Sequence, residues 1–491
     1  MNRNIKSITI MGGGTAGFIS ALVIKKKFPH IKIQLIKSEK IGIIGVGEGT
    51  TEHWKVFSDL IDVDMSEYLK ECDATIKIGV LFENWSNKPY VHNIMGGYDL
   101  SHDGYYSIYA HLISNKYDTT KLSPKFFRDN LVLEQCLKDS KTKFFSNQLH
   151  FDSSKLNSLL ESKSKEFKIE IIIDDIVDVV IDKNGNISSL ISNKNSYESD
   201  FFIDCSGFQR FLLHKKLNIG WKSYEKHLIL NSAFSFFTEE MENYNIFTKA
   251  SAQKNGWSWT IPTQKRTGNG YVFCDKFTTF DDAKKEMDDL YKKDLEVRKS
   301  FKFEAGRLEK FWHKNCVAIG ISGGFVEPLE ASTLGYTIQQ IRCLCNLLPS
   351  GDEETYNYHM NNTFDNVVDF VQAHYLVERE DTPFWKEIKN NLILTDSLSK
   401  NLKKWKNRLP HASDINCSWP VFHPINYIQV LYALNWFNIK SIKNEYDFYG
   451  ERSEVLNEVN KLFSYDDLNK ITHREFINRI INNKKNFIEY S

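Results

Sequence analysis

The stretch SITIMGGGTAGFISALVIKKKFPHIKIQLIKS, residues 7–38, decides the fold. Ile8 and Ile10 alternate with polar neighbours and open a strand, a glycine turn follows, and Ala16 to Lys27 carry helix formers. Ile31 to Ile36 then alternate as a second strand. The order strand, glycine turn, helix, strand is a βαβ unit. Gly12, Gly14 and Gly17 stand in it as G-x-G-x-x-G, directly after the strand and at the start of the helix.

That spacing has a physical reason. The first glycine makes the tight turn, the second lets the backbone approach a pyrophosphate, and the third lets the helix pack closely on the sheet. The helix N-terminus, with Thr15 and Ala16 in its first turn, offers unpaired N–H groups to phosphates. The glycines do not choose between NAD and FAD. A ribose-binding acid is expected about 20 residues downstream; the sequence has Lys37 there, and Glu39 is the nearest carboxylate. A second glycine-rich loop, GIIGVGEGTT (42–51), carries Gly47, Glu48, Gly49 and Thr50. It reads either as a flexible connector or as a loop crossing close to a flat ring, where side chains would obstruct.

Further along, EIIIDDIVDVVIDKNGNISSLISN (170–193) reads as a β-meander turning at Asn184-Gly185-Asn186, and SDFFIDCSGF (199–208) as another strand. From about 335 to 400 the pattern is helical, with Ile338, Ile341, Cys345 and Leu348 on one stripe. The tail beyond 440 is polar, charged and helical in pattern. No internal repeat is visible.

The bulk composition excludes several classes. Lys+Arg 63 against Asp+Glu 63 leaves no net charge, which argues against a nucleic-acid partner held by bulk electrostatics. Eight cysteines without a CxxC pair argue against a disulfide scaffold and a zinc site, so no metal is expected. Reduced thiols and a cytoplasmic setting follow. The first residues resemble a signal peptide, but three glycines break the apolar run and KKKFP follows it. No stretch reaches the roughly 20 apolar residues of a membrane span. A soluble protein of two or three core-bearing units, or one elaborated domain, is expected.

Two stretches pose chemical questions. In DATIKIGVLFENW (73–85) Ile76, Ile78, Val80 and Phe82 alternate with Thr75, Lys77, Gly79 and Leu81, so one face is buried and Lys77 points to the other. By itself this reads as a surface lysine on an amphipathic strand. In GWSWTIP (256–262) Trp257 and Trp259 project from one face of a strand, and Pro262 stops ladder pairing or places the segment at an edge. The indoles can be core packing, a stacking platform or a wall beside a reaction.

Taken together, GGGTAG (12–17), IGVGEGTT (44–51), KIGVLFENW (77–85), HFDSSKL (150–156), FIDCSGF (202–208), GWSWTIP, FWHKNCVAIGISGGFVEPLEAST (311–333) and HYLVEREDTPFW (374–385) resemble the flavin-dependent halogenases, the tryptophan-halogenase family. The resemblance implies an α/β (α+β) fold: a Rossmann-like FAD-binding domain of the hydroxybenzoate-hydroxylase type with a mostly helical substrate-covering region. Residues 1–335 would form the FAD and halide unit, with insertions at about 86–150 and 215–300 on the substrate side, and 336–491 the helical cover.

The resemblance also implies a chemistry. FADH2 and O2 turn bound chloride, bromide or iodide into hypohalous acid, which crosses a tunnel to an active-site lysine beside an aromatic substrate. Lys77 matches that lysine; its ammonium could donate to the hypohalous oxygen, or its amine, if desolvated, could form a haloamine. Glu330 matches the carboxylate that orients the oxidant and takes the ring proton, with Glu327 the weaker candidate. Flavin contacts are implied at the Gly12–Gly17 turn, at Lys37 or Glu39, at Gly47, Glu48, Gly49 and Thr50, and at Gly207, Ser322 and Leu329. Ser332 and Thr333 match the halide segment, although Ala331 interrupts the family's usual LESTG and leaves Gly335 in doubt; otherwise they merely cap a helix.

Trp257 and Trp259 would form a wall between flavin and substrate, His92 would line the substrate side or be structural, and Asp204 would pack near flavin or serve a turn. Phe422, Tyr427, Tyr432 and Trp436 offer ring faces but read better as core. An aromatic or indole-like substrate is expected, not necessarily free tryptophan. The implied partner is a separate NAD(P)H-dependent flavin reductase; homo-oligomerisation is left open. A flavin-dependent aromatic hydroxylase is the alternative, sharing the fold without needing Lys77 or the tryptophan pair.

Overall fold

The computed structural model describes residues 5–42, 47–93, 102–117, 125–137, 148–449, 457 and 468–482. The βαβ unit forms as its periodicity requires: strand Ser7–Met11, helix Thr15–Lys27, strand Lys32–Lys37. Its strands are the centre of a six-stranded sheet ordered Trp312–His313, Cys316–Ala318, Phe201–Asp204, Ser7–Met11, Lys32–Lys37, Glu170–Ile173. All neighbours run parallel except the first pair, the pattern of a Rossmann-like sheet covered on its faces. The expected meander is only half a meander. Glu170–Ile173 joins this parallel sheet, while Ile176–Ile181 and Ile187–Ser192 form the hairpin around the expected turn.

A seven-stranded sheet stands beside it, ordered Val297–Lys302, Ser232–Thr238, Thr267–Phe273, Gly256–Pro262, Phe247–Ala252, Gly79–Glu83, Tyr90–Asn93. GWSWTIP is therefore the central strand, not an edge. Pro262 is tolerated because it is the last paired residue, opposite Thr267, where the chain turns through Thr263 and Arg266. A small third sheet, Glu48–Gly49, Gln148–Phe151, Thr75–Lys77, ties the second glycine loop to the lysine strand.

The 75–83 segment is two strands rather than one. At Ile78 the chain leaves the small sheet and enters the large one, where a side chain at Gly79 would come within 2.3 Å of the His92 carbonyl. Residues 75 to 80 are all buried. The alternation thus separates two interiors rather than core from solvent, and Lys77 is no surface lysine: it is fully buried.

From residue 332 onward, among the described residues, the elements are helices apart from the strand Lys470–Thr472 and one short 3-10 turn. The helix Ser332–Leu347 buries Ile338, Ile341 and Cys345 along its inner side, with Leu348 buried at its C-cap, as the stripe requires. One continuous apolar core runs from Ile8 to Ile480, so these helices and the sheets share it. Helices Ile439–Tyr449 and His473–Asn482 occupy the described parts of the tail. All eight cysteines are free thiols. Among the described residues no helix is long and apolar enough to cross a membrane.

Candidate functional site

The glycine turn has the geometry of a phosphate cradle. Gly12 sits at φ +125°, and a Cβ there would lie 2.2 Å from the Cys205 carbonyl oxygen; one at Gly17 would lie 1.9 Å from the Gly12 carbonyl. Gly14 is different: it opens on empty space, with no heavy atom within 4 Å of its Cβ direction. It is also the N-cap of the helix Thr15–Lys27 and offers no side chain to its amides, so the N–H groups of Thr15 and Ala16 remain available, while that of Gly17 donates to the Gly14 carbonyl at 3.0 Å. Gly207 faces open space in the same way, just beyond the strand Phe201–Asp204. These residues fit a dinucleotide.

The neighbouring expected contacts are placed as follows. Lys37 lies along Gly13 and pairs with Glu161 at 2.6 Å, while Glu39 is exposed on the turn that follows. Ala16 packs against Gly320, and the buried Ser322 hydroxyl is committed to the carbonyls of Asp204 and Ile319. Asp204 serves the backbone: Oδ1 accepts from the Ser206 amide and hydroxyl, and Oδ2 from the amides of Leu212 and Leu213. Burial pushes the Glu48 carboxyl up. Residues 43–46 of the second glycine loop lie outside the described residues.

Gly49 and Thr50 of that loop meet the lysine. Lys77 Nζ donates to the Thr50 carbonyl at 2.7 Å and lies 3.2 Å from where a Gly49 Cβ would be. Burial lowers the Lys77 pKa to about 8, against the opposing pull of Glu330 and Glu52. Behind it, Thr75 Oγ1 donates to the Pro262 carbonyl and so accepts from His150 Nδ1–H; His150 Nε2 then accepts from the Thr248 hydroxyl at 2.8 Å. His150 is neutral, kept so by burial and by Lys77.

Glu330 is the middle residue of a short 3-10 turn, Leu329–Ala331, before the helix Ser332–Leu347. Both Glu330 (φ 67°) and Ala331 (φ 51°) are left-handed, a conformation costing a non-glycine residue about 1–3 kcal/mol and held only where surroundings impose it. Ala331 is the N-cap, without a side-chain bond to the helix, so Ser332 and Thr333 are the first helical residues and do not cap it. A side chain at Gly335 would run into Thr51, which accounts for that glycine by packing.

Glu330 Oε1 is 2.8 Å from His92 Nδ1 and 3.0 Å from His374 Nε2, all three side chains being fully buried. Burial pushes the carboxyl up, but His92 and His374 hold it well below the usual carboxylate range. Glu330 Oε2 is buried without a hydrogen-bond partner. His92 is thus joined to the carboxylate, and His374 is a site residue that sequence reasoning passed over inside HYLVEREDTPFW.

Glu327 belongs to the tryptophan pair instead. Its Oε1 accepts from Trp257 Nε1 at 3.0 Å and from the Tyr375 hydroxyl at 2.5 Å, and burial pushes its carboxyl up to about 7. Trp257 and Trp259 share a face, their ring centroids 6.2 Å apart; Trp257 is buried, and Gly270 leaves room for the Trp259 indole. Leu329 is buried beside this segment of chain. Phe422 stacks on Phe370 at 4.0 Å and Tyr427 meets the same ring edge-on, so they are core, and they back His92 and His374 through Phe370. Tyr432 is buried and Trp436 packs partly buried on the same core. Residues 94–101, which follow His92, lie outside the described residues. Among the described residues no cluster of His, Cys, Asp or Glu could hold a metal ion.

The chain thus holds a buried lysine, a buried carboxylate and a dinucleotide cradle, and the relatives give the class: flavin-dependent halogenases, which are oxidoreductases. The chain belongs to the tryptophan halogenase family, which it matches over residues 7–464. It is 29% identical over 475 residues to the tryptophan 6-halogenase SttH of Streptomyces toxytricini, covering 87% of this chain and 89% of that protein. It is 29% identical over 441 residues to the tryptophan 7-halogenase RebH of Lentzea aerocolonigenes, covering 83% of each. Its fold matches Tar14, a tryptophan C-6 flavin-dependent halogenase (chlorinase) from taromycin biosynthesis, with a TM-score of 0.83 at 27% identity over 97% of this chain and 99% of that one.

Proposed function

We propose that the protein uses FADH2, O2 and a halide to halogenate an aromatic, indole-like substrate, with Lys77 and Glu330 as its catalytic residues. Reduced flavin, when bound, supplies the electrons with which O2 oxidises halide to hypohalous acid. The Gly12–Gly17 turn holds the pyrophosphate, with Gly207 and the Gly47–Thr50 loop bordering the cofactor. The N–H groups of Ser332 and Thr333 hold the halide at the uncapped start of their helix. Residues 1–335 supply this working unit, and the described helices from the one at Ser332–Leu347 onward cover it.

The observation that carries this reading is the burial of Lys77 within reach of the Glu330 field, tied to the second glycine loop through Thr50. At neutral pH Lys77 is an ammonium. It donates to the oxygen of hypohalous acid, drawing electron density away and making the halogen more electrophilic. Glu330 Oε2 takes the proton that the substrate ring loses. Trp257 and Trp259 stand as the wall that a small oxidant passes and the substrate does not. A hydroxylase would have no use for a lysine so costly to bury.

A separate NAD(P)H-dependent reductase supplies the flavin, in a cytoplasmic setting that suits eight free thiols. The test is a screen of indole-type acceptors with chloride, bromide and iodide, read by mass spectrometry. Halide-dependent mass shifts support the reading, and hydroxylated product formed equally without halide sinks it. NADH reducing the bound flavin directly would remove the separate reductase.

A further inference from the structure

Hydrogen-bond directions around Glu330 are fixed by groups that can act only one way. Asn426 Oδ1 accepts from the His423 amide at 2.6 Å, so its Nδ2 faces His92 Nε2 at 3.0 Å as a donor. His92 Nε2 is therefore an acceptor, and its proton sits on Nδ1, which lies 2.8 Å from Glu330 Oε1 in ion-pair contact but outside hydrogen-bond geometry. His374 Nδ1 meets the Phe370 carbonyl at 2.9 Å, and a carbonyl only accepts, so Nδ1 carries a proton. His374 Nε2 meets Glu330 Oε1 at 3.0 Å, and one further proton lies on that line.

We propose that His374 and His92 are positioning residues: His374, as the imidazolium, donates to Glu330 Oε1 and the His92 Nδ1–H lies against the same oxygen, so that Oε2 alone is left to accept a proton. This rests on the reading of Glu330 as the base. The other groups facing Glu330 are Lys77, from the strand Thr75–Lys77, and Tyr90, whose hydroxyl is buried and unpartnered on the strand that carries His92. Neither is hydrogen-bonded to Oε1, so the two imidazoles carry the restraint. Phe82 and Phe370 pack 4.8 Å from the His374 ring on two sides and hold it in place. When the substrate ring re-aromatises, its C–H pair returns to the ring and the proton goes to Oε2. The His374 charge keeps the carboxylate ionised until that moment.

Neutron diffraction on the deuterated wild-type protein tests this without a variant. Deuterium on both ring nitrogens of His374 and none on Glu330 is expected; deuterium on Glu330 Oε1 with a bare Nε2 overturns the assignment. His374→Gln keeps a donor but loses the charge. It is expected to move the acid limb of kcat upward by about one pH unit or more, with KM for the acceptor changed by less than about threefold. A folded His374→Gln protein whose acid limb stays in place overturns the proposal. Glu330→Gln, run alongside, separates the two failures. If it halogenates, the base reading falls and this proposal with it; if it is silent while the His374→Gln limb is unmoved, only the positioning role falls.

Discussion

Lys77 donates its Nζ to the carbonyl oxygen of Thr50 at 2.7 Å, so the lysine is pinned to the second glycine-rich loop. Its pKa of about 8 makes it an ammonium at neutral pH and an amine above. If the ammonium is the working form, kcat falls as pH rises through about 8. A pH–rate profile with saturating flavin checks this, and a rate that climbs through the same range would favour the amine, and with it haloamine chemistry.

The same burial makes Lys77 costly to the fold. A drop from 10.5 to about 8 is worth about 3 kcal/mol against the charged form. Because the folded pKa lies below the unfolded one, this penalty is fully present below about pH 8 and vanishes as pH rises to 10.5. Lys77→Met leaves the Thr50 carbonyl without its donor, at about 1 kcal/mol. Denaturant melts at pH 7 should find Lys77→Met more stable than wild type by about 2 kcal/mol, and inactive. A less stable Lys77→Met protein at pH 7 would contradict the account.

The glycine turn separates packing from binding. Gly14→Ala adds a methyl to open space, so the protein should melt as wild type while flavin affinity drops at least about tenfold. Gly17→Ala drives a methyl into the Gly12 carbonyl and should unfold the cradle itself. Calorimetry and flavin titration of the two variants distinguish these outcomes; equal affinity in Gly14→Ala would place the pyrophosphate elsewhere.

The wall can be opened at its half-buried member. Trp259→Ala removes an indole that Gly270 accommodates and leaves the Trp257–Glu327–Tyr375 bonds intact. More oxidant should then escape to an external halogen trap in solution, with less product per flavin consumed. Unchanged coupling would reduce the pair to core packing.

What could be read in advance follows the range of the physics. The βαβ unit and its glycines are set by neighbours along the chain, and so were legible. The tryptophans' common face follows from strand period, but their central place in the sheet depends on a hairpin turn at Thr263 and Arg266 that lets Pro262 end the strand. The Lys77 alternation pointed toward solvent because a two-residue period cannot tell one interior from another. His374 was silent for a different reason: Glu330 is 44 residues away, and the Asn426 that sets the His92 tautomer is 334 residues from it. Only tertiary packing assembles that cluster.

Halide-dependent halogenation through Lys77 can be read in a single reaction. The most direct measurement supplies purified protein with FADH2 from a reductase, O2, an indole acceptor and bromide, and reads the product mass. A brominated product that disappears without bromide and in Lys77→Met is expected; product hydroxylated to the same extent with or without halide would overturn the halogenase reading.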